Sequence, residues 1–306
     1  MPMHKSVLLD ESIEYLNLKE DSIIVDCTLG YGGHSSKILE KIKRGFLFAF
    51  DQDEEARTFS KNRLEQIGNN FEIIDSNFVN LKEKLANKTK KVNGILYDLG
   101  VSSPQLDHDY RGFSFHNDAP LDMRMDQSQS FSAYNVVNEY SEIELTKIFR
   151  DYGEEKFAPS IARKIVQYRE NKPIETTLEL VEIIKTGVPE KYKREKHPAR
   201  KVFQAIRIEV NKELDVFESS LKQALDIIDI GGRICVITFH SLEDKMCKKI
   251  FKDYSEIDNN LKKLPIIPEE LLPKFKVIAN IAPDIEELDE NNRARSARLR
   301  VIERVR

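Results

Sequence analysis

Residues 23–35 read Ile-Ile-Val-Asp-Cys-Thr-Leu-Gly-Tyr-Gly-Gly-His-Ser, an apolar run and an acid followed by glycines. A short apolar run bounded by glycine is typical of a buried strand, and apolar residues at helical spacing follow within residues 37–42. The stretch therefore predicts a strand, a glycine turn and a helix. Such a turn lets a ligand approach the backbone where no Cβ intrudes, and the helix start directs unpaired N–H groups towards it. We expect a nucleotide-like ligand here.

Length and composition limit the classes of protein that the chain can represent. Its 306 residues fit two domains, or one domain with a large insertion, and its net charge of −4 argues against a protein that coats nucleic acid indiscriminately. It lacks both a run of about eighteen apolar residues and the apolar core of a secretion signal, so we expect a cytoplasmic protein without a membrane partner. The three cysteines show no Cys-x-x-Cys spacing, which predicts buried thiols and no metal site.

Strand patterns alternate with helical patterns through the first hundred residues. Further strands are predicted over 46–50, 71–74 and 94–97, a fifth over 234–239, and two more over 275–281 and 298–303. Such alternation predicts an α/β fold with a mostly parallel sheet. Ligands of these sheets lie beyond the carboxyl ends of the strands, where Asp26, Asp51 and Asp98 fall. Asp51 follows Gly30 by about twenty residues, the separation that sets a carboxylate against a ribose.

The middle of the chain has a different character. Strand patterns are absent between residues 106 and 201, and capping-box patterns at Ser141-x-x-Glu144 and Thr176-x-x-Glu179 predict helix starts. The segment ends in the most basic window of the chain, residues 191–201, and one long helix over 202–229 is predicted to return to the sheet. We therefore predict an all-helical domain, 106–201, inserted between two parts of the α/β domain, 1–105 and 202–306.

The glycine turn matches known nucleotide fingerprints only in part. Gly30 and Gly32 are followed by Ser35 where the dinucleotide fingerprint has a third glycine, and no Gly-Lys-Ser/Thr sequence marks a phosphate-binding P-loop. S-adenosylmethionine has no pyrophosphate and suits the remaining features, with Asp51 for its ribose and Phe78 beside its adenine. Two alternatives stay open. An NAD-dependent oxidoreductase shares the turn and Asp51, and a noncatalytic RNA-binding ribosome-assembly factor shares the basic segments.

Longer motifs spread over nearly the whole chain resemble one family, the bacterial small-subunit ribosomal RNA cytosine-N4 methyltransferases, RsmH/MraW. The matching motifs run from His4 to Arg300: His-x-Ser-Val-Leu-Leu, Leu-Gly-x-Gly-Gly-His-Ser, Asp-x-Asp, Asp-Leu-Gly-Val-Ser-Ser-Pro-Gln-Leu-Asp, Arg-Gly-Phe-Ser-Phe, Leu-Asp-Met-Arg-Met-Asp, Phe-Gln-Ala-x-Arg-Ile-x-Val-Asn-x-Glu-Leu, Phe-His-Ser-Leu-Glu-Asp and Arg-Ala-Arg-Ser. Two positions depart from the family pattern. Tyr31 stands where arginine is usual, and Arg200-Lys201-Val202 replaces Thr-Arg-Thr.

This resemblance implies a class I, Rossmann-like methyltransferase that uses S-adenosylmethionine. It implies N4-methylation of a specific cytidine in 16S ribosomal RNA near the decoding centre, on free RNA or on the small ribosomal subunit, in the cytoplasm. The oligomeric state stays open. The cofactor positions that carry over are Gly32, Gly33, His34, Asp51, Phe78, Asp98 and Gln105.

The inferred chemistry directs attention to the segment after the fourth strand. We predict that Asp98, Ser102, Ser103 and Pro104 orient the cytosine amine towards the methyl donor. Contact with a polyanion predicts a set of RNA-binding residues, in which an aromatic ring stacks on an extruded cytosine. That set is Arg111, Phe113, Phe115, Arg124, Arg200, Lys201 and His240. For the aromatic residues, packing at the domain junction is the alternative; for His240 both proton acceptance and no direct chemistry stay open.

Overall fold

The computed structural model describes residues 6–101, 109–195, 197–257 and 267–306. Within these ranges the strands are β1 (Ile23–Asp26), β2 (Phe46–Asp51), β3 (Phe71–Asp75), β4 (Gly94–Asp98), β5 (Arg233–Thr238), β6 (Phe275–Ile281) and β7 (Arg298–Arg304). They form one seven-stranded sheet in the order β3-β2-β1-β4-β5-β7-β6.

Most neighbouring strands of this sheet run parallel. β1 pairs in parallel with β2 and β4, and so do β2 with β3 and β4 with β5. Only β7 runs antiparallel, to β5 and to β6. The mostly parallel sheet predicted from the sequence is therefore confirmed. Since β2 lies on one side of β1 and β4 on the other, the strand order reverses between β1 and β4, which is where ligands of doubly wound sheets bind.

Helices connect the parallel strands and fill the middle of the chain. Those of the α type in the described ranges are α1 (Leu9–Tyr15), α2 (Gly33–Lys41), α3 (Glu54–Glu65), α4 (Leu81–Leu85), α5 (Ala133–Glu139), α6 (Glu142–Asp151), α7 (Ala158–Arg169), α8 (Thr177–Thr186), α9 (Glu190–Glu195), α10 (Ala199–Asn211), α11 (Glu213–Ile227), α12 (Ser241–Ser255) and α13 (Ile285–Glu290). Ser141 and Thr176 cap α6 and α8 in capping boxes with Glu144 and Glu179, as predicted.

Both faces of the sheet are covered by apolar side chains. Ile24, Leu47 and Leu96 pack in one cluster with residues of α1, α2 and α3. Val25, Phe48 and Ile95 point the other way, into a cluster with α4, α11 and α12. Strands buried on both faces read as continuous apolar runs, which is why the sequence pattern located them.

The chain divides into two compact units. One comprises residues up to Gly100 together with Asp215–Arg306, and the other is Val101–Leu214. The second unit has its own core, to which α6, α7, α8 and α10 contribute buried residues such as Phe149, Ile161 and Phe203. The sequence had set the second boundary between 201 and 202; the structure sets it at the end of Leu214, because the buried face of α10 packs in the helical unit.

The prediction of a single helix over 202–229 is wrong, because the structure has two helices there. α10 ends at Asn211 and α11 begins at Glu213, with Lys212 between them in the left-handed conformation at φ 51°. A non-glycine residue in this region breaks the helical path at some conformational cost. The break separates α10, which belongs to the helical unit, from α11, which leads the chain back to the sheet.

The cysteines lie where the sequence suggested. Cys27, Cys235 and Cys247 are buried and free. Among the described residues, no helix combines the length and the apolar character that crossing a membrane requires.

Candidate functional site

The glycine turn after β1 forms the floor of the candidate site. Gly30 and Gly32 have positive φ angles of 50° and 75°, and Gly32 is the N-cap of α2. A Cβ added at Gly33 would come within 1.9 Å of the Ser6 hydroxyl oxygen. Glycine is required at these positions by backbone conformation and by close approach. The predicted sequence of strand, turn and helix is confirmed.

Side chains of helix α3 donate hydrogen bonds to the glycine turn. The Ser60 hydroxyl donates to the Gly30 carbonyl at 2.6 Å, and the Arg63 guanidinium donates to the Tyr31 carbonyl at 3.1 Å. The Tyr31 ring packs against Phe59 with centroids 4.7 Å apart. Tyr31, which departs from the motif that the sequence resembles, therefore lies against α3.

Asp51, the last residue of β2, reaches the glycine turn. Its carboxylate accepts from the Gly30 N–H at 2.8 Å and from the Asp53 N–H at 2.8 Å. Burial raises the pKa of Asp51 to about 6 against the opposing effect of these two hydrogen bonds. An acid predicted at this place from its spacing therefore lies beside the turn, with a carboxylate suited to accept from ribose hydroxyls.

Asp98, the last residue of β4, lies across the strand-order reversal from β1. Its Oδ2 is 3.5 Å from His34 Nδ1, and its Oδ1 is buried with no hydrogen-bond partner among the described residues. Burial, then the negative charges of Asp26 and Glu243, raise the pKa of Asp98 to about 8. Burial lowers the pKa of His34 to about 4, so this imidazole is neutral near pH 7. His34 therefore supplies no positive charge to balance the negative charge of an ionised Asp98.

Two further acids lie close to the site: Asp26, which the sequence places at the ligand-binding end of β1 without assigning it a role, and Glu243, which was not predicted. Asp26 is 1% exposed at the end of β1, and Glu243 is 3% exposed in the first turn of α12. Asp26 accepts from the Thr28 N–H at 3.0 Å and from the Ser35 hydroxyl at 2.7 Å. The position of Asp26 before the glycines was a usable signal, whereas nothing in the sequence connects Glu243 with Asp98.

Phe78 and His240 belong to the same unit as the turn. Phe78 is partly buried and its ring meets the Tyr97 ring edge-on, with centroids 5.7 Å apart. His240 is the N-cap of α12: its Nδ1 accepts from the Glu243 N–H at 3.4 Å, and its Nε2 is 3.1 Å from Glu243 Oε1. The structure gives His240 a capping role, and its contact with RNA stays a prediction.

Two predicted RNA contacts lie inside the helical unit. Arg111 is 2% exposed and donates to the carbonyls of Arg124 and Met125 at 3.0 and 3.3 Å. Phe113 is 6% exposed and belongs to the core of this unit. Phe113 packs in the core of the helical unit itself and not at the predicted domain junction, and Arg111 has a structural role in the same unit. Their RNA contacts stay predictions.

The remaining predicted RNA contacts are more accessible. The Phe115 ring is partly buried and stacks on the His197 ring at 4.6 Å. Arg124 binds the Asp122 carboxylate through Nε and Nη2, both at 2.8 Å. Arg200 is exposed, and Lys201 Nζ donates to the Glu154 carbonyl at 2.5 Å. Of these, Arg200 has the cationic group that is most available to a phosphate.

Four of the predicted site residues lie outside the part of the chain that the structure describes. Ser102, Ser103 and Pro104, predicted to orient the amine, and Gln105, predicted to bind the cofactor, lie outside the described residues. The described part of the site consists of the glycine turn, His34, Asp51, Phe78 and Asp98.

The chemistry of this set fits S-adenosylmethionine better than a dinucleotide. The turn is bordered by carboxylates that can accept hydrogen bonds from hydroxyl groups and stabilise a cation, and Asp98 Oδ1 has no partner among the described residues. S-adenosylmethionine offers ribose hydroxyls and a positive sulfonium. A pyrophosphate, in contrast, would bring more negative charge to Asp98, whose pKa the charges of Asp26 and Glu243 already raise.

The chain is similar in sequence to known proteins. The family model of the MraW methylase family matches residues 1–305. The ribosomal RNA small subunit methyltransferase H of Exiguobacterium sibiricum is 52% identical over 307 residues, which cover 99% of this chain and 98% of that protein.

Two solved structures are similar at low identity. An rRNA methylase from Streptococcus thermophilus has 13% identity, a TM-score of 0.45 and coverage of 100% of this chain and 99% of its own. A methyltransferase from Streptococcus mutans in complex with SAH has 14% identity, a TM-score of 0.46 and coverage of 99% of both chains.

Proposed function

Because the chain belongs to the MraW methylase family, we propose that it transfers a methyl group from S-adenosylmethionine to N4 of a specific cytidine in 16S ribosomal RNA, near the decoding centre. The observation that carries the proposal is the carboxylate pair Asp51 and Asp98, set at the ends of β2 and β4 on either side of the glycine turn. The 52% identity to a small-subunit RNA methyltransferase supports the substrate class.

The residues of the site have separable tasks in this reaction. S-adenosylmethionine supplies an electrophilic methyl group when bound. Asp51 accepts hydrogen bonds from the ribose, the turn at Gly32 and Gly33 provides backbone contact, and Phe78 lies beside the adenine. Asp98 provides an acceptor at the carboxyl end of β4, where its free Oδ1 can hold an N–H of the cofactor or of the cytosine amine.

Holding the amine matters because its lone pair is delocalised into the pyrimidine ring. An acceptor that draws an N–H towards itself makes the lone pair available and stabilises positive charge that develops on nitrogen. Orientation in line with the methyl group also raises the rate. The N–CH3 bond forms as the S–CH3 bond breaks, S-adenosylhomocysteine leaves, and the amine proton, made acidic by methylation, passes to water. We assign this orientation to Asp98 together with Ser102, Ser103 and Pro104.

The proposed partner is the small-subunit RNA, either free or in the assembled subunit, and the proposed location is the cell interior where that RNA resides. Phosphate contacts are assigned to the helical unit, with Arg200 as the first candidate because it is exposed. Phe115 is the candidate for stacking on a base, since its ring is only partly buried.

Methyl transfer with purified protein tests the proposal. With radiolabelled S-adenosylmethionine and small-subunit RNA, we expect label in the RNA and N4-methylcytidine after digestion to nucleosides. RNA binding without label transfer would favour the noncatalytic assembly factor. Calorimetry addresses the oxidoreductase: tight binding of NAD together with no binding of S-adenosylmethionine would overturn the assignment.

A further inference from the structure

Thr28 occupies an unusual position between the two strands that border the strand-order reversal. β1 and β4 are paired as far as Asp26 and Leu96, and the Cys27 N–H still donates to the Leu96 carbonyl at 2.9 Å. Beyond this point the chain leaves the sheet for the glycine turn. The N–H of Asp98 therefore has no β1 carbonyl to bond.

The hydroxyl of Thr28 takes the place of that carbonyl. Thr28 Oγ1 accepts from the Asp98 N–H at 2.7 Å, across 70 residues of sequence. On the other side, the Leu99 N–H donates to the Ile237 carbonyl at 3.1 Å. The backbone of Asp98 is thus held from both neighbouring strands, once by a main chain and once by a side chain.

Asp26 in turn holds Thr28. Its Oδ1 accepts from the Thr28 N–H at 3.0 Å and lies 3.4 Å from the Thr28 hydroxyl, and its Oδ2 accepts from the Ser35 hydroxyl at 2.7 Å. Asp26 and Ser35 are fully or almost fully buried. A continuous series of hydrogen bonds therefore runs from the first turn of α2, through the end of β1, to the backbone of Asp98.

We propose that Thr28 is a positioning residue for methyl transfer: its hydroxyl, oriented by Asp26, fixes the Asp98 carboxylate relative to the glycine turn. This inference rests on the proposed function, in which Asp98 holds a reacting or cofactor group. Thr28 is assigned no contact with the donor or the base. Its effect passes through the backbone of Asp98, so it acts on geometry and not on the identity of the acceptor.

Removal of the hydroxyl at constant shape tests the proposal. In Thr28→Val the Asp98 N–H loses its acceptor, and we expect kcat to fall by about tenfold or more, since a displacement of about 1 Å can reduce a rate by about a hundredfold. Thr28→Ser keeps the hydroxyl and should retain kcat within about threefold. Thr28→Ala removes the same hydroxyl, and its smaller side chain cannot overfill the turn. This variant replaces Thr28→Val in the test if the valine variant folds poorly.

A matched control separates positioning from stability. Thr238, at the end of β5, is also buried, and its hydroxyl is 3.5 Å from the Arg298 carbonyl. Thr238→Val removes a hydroxyl of the same kind without altering the contact to Asp98, so its kcat should stay near that of the unaltered protein. All rates are measured at a temperature at which circular dichroism shows each variant fully folded.

The outcomes distinguish this inference from the proposed function. If the unaltered protein transfers methyl groups and Thr28→Val, Thr28→Ala and Thr28→Ser all match it, the positioning role of Thr28 is wrong while the function stands. Should the unaltered protein bind S-adenosylmethionine and transfer nothing, the function is wrong. In that case, the affinity for S-adenosylmethionine, measured by calorimetry, tests the role of Thr28. The affinity must fall in Thr28→Val and Thr28→Ala but not in Thr28→Ser. Equal affinities in all three variants would overturn the positioning role of Thr28.

Discussion

Asp98, at the carboxyl end of β4, is a site carboxyl group whose pKa is strongly raised. Its pKa is raised to about 8 from an ordinary value of 3.8, first by burial and then by the charges of Asp26 and Glu243. Nearby His34 is neutral and supplies no compensating charge. An acid that is partly withdrawn from water beside other acids disfavours its own ionised form until a cation or a hydrogen-bond donor arrives, which is what the methyl donor and the cytosine amine provide.

The raised pKa of Asp98 predicts a pH dependence of stability. Between its unfolded value of 3.8 and its folded value of about 8, the native protein keeps a proton that the unfolded chain has released. Stability therefore falls as pH rises through this window. Asp98→Asn imitates the neutral acid, so the variant should be more stable than the unaltered protein at pH 8 and equal to it near pH 4. Urea unfolding at several pH values measures the difference. Parallel stability curves would contradict the assignment.

Asp51 predicts a change in cofactor affinity. Asp51→Ala removes an acceptor for the ribose, a charged hydrogen bond worth about 1.5–3 kcal/mol, and should weaken S-adenosylmethionine binding by about ten- to a hundredfold. Asp75→Ala is the matched control, because Asp75 ends the neighbouring strand β3 and its side chain is 73% exposed in an ion pair with Arg57. Isothermal titration calorimetry provides both affinities. Equal affinities for the two variants would remove the ribose role of Asp51.

At the level of elements, the strand patterns were informative because both faces of the sheet are buried. The predicted runs over 46–50 and 234–239 are continuous apolar segments, and the end of the first run correctly located Asp51. The break at Lys212 was missed because neither glycine nor proline marks it. Burial of Arg111 was also missed, since a charged side chain is rarely buried and only the fold brings backbone carbonyls around it.

The hydrogen bond from Asp98 to Thr28 shows another limit of sequence reasoning. Hydrophobic periodicity located β1 and β4, but it carries no information about which side chain replaces a missing ladder partner. Partners 70 residues apart meet only after both strands have paired. The candidate site could thus be located from sequence, whereas the contacts that orient it could not.

The junction between α10 and α11 gives a test at the same scale. Lys212 has φ 51°, and its ammonium also binds Glu209 at 2.6 Å. Lys212→Ala and Lys212→Gly both lose this ion pair, but only glycine adopts the left-handed conformation without strain. We expect the glycine variant to be more stable than the alanine variant by about 1 kcal/mol. Thermal unfolding compares them, and an alanine variant of equal or greater stability would show that the backbone at Lys212 is not left-handed.

Over the whole molecule, a net charge of −4 means that RNA binding must depend on local charge. The basic window at 191–201 contains several cations that are already engaged: Lys193 pairs with Glu190, and Lys201 donates to the Glu154 carbonyl. Arg200 is exposed in the same window. The density of basic residues in the sequence therefore overstates the number of cations available to phosphates.

Arg200 gives the prediction at this scale. Arg200→Gln should weaken binding of small-subunit RNA and lower the slope of log affinity against log salt by about one, as the loss of one phosphate contact requires. Lys147→Gln removes an exposed cation of the helical unit outside the basic window and should leave that slope unchanged. Filter binding over a range of salt concentrations measures both. Identical slopes in the two variants would show that Arg200 does not contact phosphate.

The central claim is that this chain methylates N4 of one cytidine in small-subunit ribosomal RNA. Mass spectrometry of that RNA, from cells with and without the protein, tests it most directly because the spectrum identifies both the nucleotide and the modified atom. We predict that one N4-methylated cytidine disappears without the protein and returns when the unaltered protein is restored. An unchanged methylation pattern in the cells that lack the protein would contradict the account.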